Sequence, residues 1–116
     1  MLQLRPVQME ILGRVTLKSG LLAHAHAVAP DVCAAVTSDE LEAVVTYCMD
    51  RCAYYGIARP YDAARYLNLM LVFGPAFDER EDWAVEALAE PNPPGRMELL
   101  MDRALIQAAV PEEADA

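Results

Sequence analysis

Basic side chains are scarce in this sequence: 9 Lys and Arg stand against 18 Asp and Glu, a formal net charge of −9 over 116 residues. A phosphate backbone or an anionic bilayer surface is held by clustered cations, so neither nucleic acid nor membrane is expected as a partner. Histidine is limited to His24 and His26, which on a helix point about 200° apart and cannot share one metal. A solvent-facing or capping role is expected for both. The glycines Gly13, Gly20, Gly56, Gly74 and Gly95 stand alone, which excludes a Gly-rich phosphate cradle. Strand-like alternation, an Asn-Gly hairpin signal and internal repeats are all absent, leaving helices as the building material. No apolar run reaches the roughly 20 residues of a bilayer-crossing helix. Gln3, Arg5, Gln8, Glu10 and Arg14 interrupt the region where a signal peptide needs an apolar stretch, so a cytosolic product is expected. Three cysteines, an odd number, agree with free thiols in a reducing compartment.

An apolar fraction of 55% is ample for a core. Its centre is the stretch from Arg59 to Gly74, apolar on nearly every face and bounded by helix signals at both ends. Pro60 suits the first helical position, Asp62 places negative charge in the first turn, and Gly74 followed by Pro75 ends the helix. Before it, Pro6 opens a helix over 6–28, which Gly13 and Gly20 weaken by roughly 1 kcal/mol each. Pro30 to Cys33 is a short link. Thr37 and Glu40 form a capping box for a helix over 38–55, with Leu41, Val44, Val45, Cys48, Cys52 and Tyr55 as its apolar stripe and Arg51 lying away from it.

After Gly74 comes a turn, with Phe77 folded back onto the core. Trp83, Val85, Ala87 and Leu88 mark a short helix at about 81–89, and the Pro-rich loop 91–95 precedes a last helix over about 95–109, which presents Met97, Leu100, Met101, Ala104, Leu105 and Ala108. The expected architecture is all-α: one compact domain over 1–110, a bundle of about five helices around a buried central helix at about 60–73. An acidic frayed tail is expected over 111–116.

Few residues offer chemistry. Cys48 and Cys52 stand one turn apart on an apolar face and read as core thiols, since no further ligand is placed to complete a metal site with Cys33. No cofactor is expected. A cysteine nucleophile would need a histidine base, an orienting group and oxyanion donors that nothing brings together. Arg65 and Asn68 are the polar oddities of the central helix, sharing one edge with Asp62. Buried charge is tolerated when paired, which suggests a structural polar network of Asp62, Arg65, Asn68 and Asp78: Arg65 paired with Asp62 or Asp78, and Asn68 bonded to a loop carbonyl near residues 75–78. The competing reading makes that edge a recognition site. Residues 78–90 hold six acids against Arg80 alone, and Asp78, Glu79, Glu81 and Asp82 are the candidate contacts for a basic protein surface, with a solvated acidic face as the alternative. Tyr54, Tyr55, Tyr61, Tyr66 and Trp83 could line a small-molecule pocket or serve the core.

The run Tyr55-Gly56-Ile57, Ala64-Arg65-Tyr66-Leu67-Asn68-Leu69-Met70, Phe73-Gly74, Phe77-Asp78 and Trp83-Ala84 resembles small bacterial helical proteins of type VI secretion effector clusters. Leu4-Arg5-Pro6, Gln8 and Arg96-Met97 extend the likeness over most of residues 4–106. The resemblance implies a non-enzymatic accessory or co-chaperone that helps an effector-loading adaptor hold an effector, with adaptor, effector or spike-tip protein as partner. It carries over no catalytic residues. The first helix from Gly13 to Ala27 is poorer in charged and aromatic residues than the family pattern, which implies a different partner surface on that helix. An immunity protein neutralising a basic toxin is the alternative.

Overall fold

The computed structural model describes residues 6–109. Among these, seven helical segments and no strand occur: α1 (Pro6–Val28), α2 (Pro30–Ala34), α3 (Ser38–Tyr54), α4 (Pro60–Phe73), α5 (Phe77–Arg80), α6 (Asp82–Leu88) and α7 (Pro93–Ala109). The all-α expectation holds, with seven segments in place of about five. The additions are a single turn opened by Pro30, where a link was expected, and another that begins at Phe77 within the expected turn. The tail expected over 111–116 lies outside the described residues. No described helix is long and apolar enough to cross a membrane.

The helix ends follow local chemistry. Thr37 Oγ1 accepts from the Glu40 N–H at 3.0 Å while Glu40 accepts from the Thr37 N–H at 3.1 Å, the reciprocal capping box that starts α3. Its other end closes as a Schellman motif: Ile57 N–H bonds to Cys52 O at 2.8 Å and Gly56 N–H to Ala53 O at 3.2 Å. Gly56 supplies the required positive φ of 73°, and the buried Ile57 fastens the turn to the core. Pro60 opens α4, and Gly74, at φ 101° and ψ 153°, ends it in a conformation open to glycine alone. Pro93 and Pro94 stand in the first turn of α7, where their missing N–H groups cost nothing, so this helix begins two residues earlier than 95.

α4 packs against α1, α3, α5 and α7. Tyr66, Leu67 and Met70 on its inner side are buried with Phe77, Met97 and Leu100. It is not enclosed on every side, however: Tyr61 and Val72 stand in solvent. Leu105 of α7 is exposed as well, so the apolar stripe of that helix is narrower than its sequence suggests. α1 and α3 run antiparallel, since Arg14 pairs with Asp50 and Lys18 with Glu42. A line of aromatic rings crosses the interior: Tyr55 to Tyr66 at 6.3 Å, Tyr66 to Phe77 at 5.1 Å and Phe77 to Trp83 at 6.0 Å between centroids, all within favourable ring-packing range.

Candidate functional site

The last turn of α3 and the two short helices α5 and α6 enclose a groove of about 400 Å³ lined by Arg51, Tyr54, Tyr55, Asp78, Glu79, Val85, Leu88 and Ala89. Arg51 in the last turn of α3 and Tyr55, the residue that caps its end, are four positions apart, so both reach the same wall. Opposite them, the turn at Phe77 plants that ring in the core and thereby draws the adjacent Asp78 inside, where only 2% of it is exposed. Arg51 Nε donates to Asp78 Oδ2 at 2.7 Å, the Tyr55 hydroxyl donates to the same oxygen at 3.0 Å, and Arg51 Nη2 donates to the Tyr55 hydroxyl at 2.8 Å. Glu79 closes the set from the rim, 3.3 Å from Arg51 Nη2. The guanidinium also lies over the rings of Tyr54 and Tyr55, 4.8 and 5.1 Å from their centroids, a cation–π arrangement.

Electrostatics follow from burial. Loss of water would lower the Arg51 pKa, but the Asp78 carboxylate outweighs it and the guanidinium is held firmly charged. Burial, and then Asp78 beside the hydroxyl, push Tyr55 up to about 12, with Arg51 opposing. The hydroxyl of the buried Tyr66 and Asp78 Oδ1 have no hydrogen-bond partner in ordinary geometry among the described residues. Burial together with the nearby Asp78 charge raises the Tyr66 pKa.

Asp78 is therefore not an exposed contact, contrary to the sequence expectation. It sits beneath the acidic face as the counter-ion of Arg51, which turns inward rather than away from the apolar stripe. Glu79 and Asp82 are exposed and Glu81 is half-buried. The polar network expected around α4 is split in three, with Asp62 and Arg65 together, Asn68 apart, and Asp78 apart on Arg51. Arg65 does pair with Asp62, at 2.6 Å, and its second carboxylate is Glu98 at 2.9 Å rather than Asp78. Burial would raise the Asp62 pKa, but bonds from Arg65 and Arg59 outweigh it and hold the carboxyl below its ordinary value.

Asn68 does not reach the 75–78 loop. Its Oδ1 accepts from His24 Nε2 at 2.8 Å, so His24 is half-buried against α4 rather than facing solvent. The five-residue aromatic pocket is not formed: Tyr54 and Tyr55 line the groove, Tyr66 and Trp83 are core, and Tyr61 is exposed beneath Arg65. Cys33, Cys48 and Cys52 are free, buried thiols, and no cluster of three or more metal-ligating side chains occurs among the described residues.

Sequence reasoning missed Arg51. Its signal was spacing: Arg51 and Tyr55 stand at i and i+4, and Tyr54 and Tyr55 adjoin the Schellman turn. Arg96 was missed as well, although it ties α7 to the end of α3 by donating to the carbonyls of Tyr55, at 2.5 Å, and of Glu90. Compared with models of protein families, with curated proteins and with solved structures, the chain has no match.

Proposed function

We propose that this chain is a non-enzymatic protein-interaction module that acts in the cytoplasm as an accessory or co-chaperone protein of a type VI secretion effector cluster, binding an effector-loading adaptor, its effector or a spike-tip protein. The family reading comes from the sequence resemblance. The scaffold for the role is taken to be a single bundle organised about α4. The observation that carries the interaction reading is the groove itself. Tyr54 is 74% exposed and Val85 47% exposed, side by side with the acidic rim, on walls tied together beneath by Arg51, Asp78 and Tyr55. Large apolar groups held out in water beside unspent charge on a braced surface suit recognition of another protein.

The test is a tagged pull-down from the native lysate with crosslinking and mass spectrometry. Recovery of a spike-tip protein, adaptor or large effector supports the accessory role. A lone basic toxin, with protection of cells that express it, replaces this role by immunity. Absence of any specific protein partner sinks the module reading, and a ligand thermal-shift screen becomes the next step.

A further inference from the structure

We infer that the groove between the end of α3 and α6 docks a basic amphipathic helix, which lays an aliphatic side chain against Tyr54 and Val85 and sets an arginine or lysine against Glu79. This rests on the reading above for the partner's being a protein, and names the chemistry by which it is held. Charge sets the sign of the partner. Within the groove one cation, Arg51, faces two carboxylates, Asp78 and Glu79, so the lining keeps a surplus negative charge.

Arg96, which donates to the Tyr55 carbonyl, offsets part of that surplus, and the acids of α6 restore it. On α6, Asp82 precedes Val85 by three residues and stands on the same edge, and Arg80 is the single base from residue 78 to 90. The site also shows what chemistry it accepts, because Arg51 already lies over the Tyr54 ring while pairing with Glu79. An acidic partner would be repelled here, and a purely apolar one would strip water from Glu79 without pairing it.

The experiment titrates three synthetic helical peptides into the isotope-labelled full chain, followed by NMR at low and moderate salt. The first has a leucine face flanked by arginines, the second carries glutamates in place of the arginines, and the third serines in place of the leucines. The arginine–leucine peptide is expected to shift the amides of Tyr54, Glu79 and Val85 and to weaken about tenfold or more as salt screens the contact. The glutamate peptide should not bind, and the serine peptide should bind at least about tenfold more weakly.

Glu79→Gln, which loses only a rim-exposed pair, and, without any change of charge, Tyr54→Ala should each lower affinity by about tenfold while leaving the melting temperature near that of the parent. Shifts that map elsewhere, equal binding of the glutamate peptide, or affinities of both variants within about twofold of the parent overturn the inference. The two readings fail separately. An adaptor captured equally by parent and both variants keeps the module reading and removes the groove from it. Arginine–leucine peptide binding with no protein partner in the lysate does the reverse.

Discussion

At the scale of single residues, the buried carboxylate of Asp78 governs the groove wall. Asp78→Asn removes the charge that Arg51 and Tyr55 share and leaves a guanidinium only 18% exposed without its main counter-ion. Breaking one member of such a pair costs about 2–4 kcal/mol, to be read as a lower urea midpoint at unchanged slope. Tyr66→Phe should cost less: its buried hydroxyl lies beside the Asp78 carboxylate without a well-aligned hydrogen bond, so removing it should move the same urea midpoint by no more than about 1 kcal/mol. Tyr55 adds a pH dependence. Its folded pKa is pushed up to about 12, whereas an unfolded tyrosine ionises near about 10. Between these values the unfolded chain releases its proton first, so stability is complete below the window and falls as pH rises through it. Thermal melts across that range should show the decline, and Tyr55→Phe should make it shallower, leaving the part contributed by the buried Tyr66, whose pKa is also raised. The sequence left two partners open for Arg65, and Asp62 proved correct because i and i+3 on one helix leave little freedom. It gave Asp78 two roles, acidic contact and member of a buried polar network, and the structure forms the second with Arg51 in place of Arg65, because which cation meets the carboxylate is decided by how the turn at Phe77 docks on α3, a tertiary event with no periodic trace.

At the scale of elements, legibility tracks local chemistry. α3 and α4 were readable to within a residue at either end, because capping box, proline and glycine signals act within a few residues of the ends they define. α2 and α5 were not, since one turn is too short to display a period and is held by its neighbours. The cap should therefore carry measurable energy: Thr37→Ala should cost about 1 kcal/mol, measured by chemical denaturation, and Thr37→Ser much less. In α1, a methyl group built at Gly20 meets nothing within 4 Å, and the residue lies in mid-helix. Gly20→Ala should accordingly stabilise by about 0.5–1 kcal/mol and raise the melting temperature. A loss instead would mean that this part of α1 must bend. Which edges of these helices meet was not legible: His24 and Asn68, or Arg96 and the Tyr55 carbonyl, are joined only once α1 and α7 have docked.

For the whole molecule the dominant fact is an anion excess that the ion pairs only partly absorb. Arg14–Asp50 and Lys18–Glu42 lie at the surface, where such pairs contribute from nothing to about 1 kcal/mol and weaken further in salt. The pairs around Asp62 and Asp78 are shielded from solvent and resist screening. Against them stands the mutual repulsion implied by a net charge of −9, which opposes compaction and is itself screened. Repulsion acts over the whole surface while the screenable attractions are few, so added salt removes more destabilisation than stabilisation. Stability should therefore rise as sodium chloride goes from about 20 to about 300 mM, most steeply while the screening length falls below the spacing of surface charges. Urea unfolding at fixed pH would register this as a rising midpoint at constant slope. A midpoint that fell with salt would mean that the exposed pairs outweigh the repulsion, and neutralising Glu79 or Asp82 would then weaken the fold rather than relieve it.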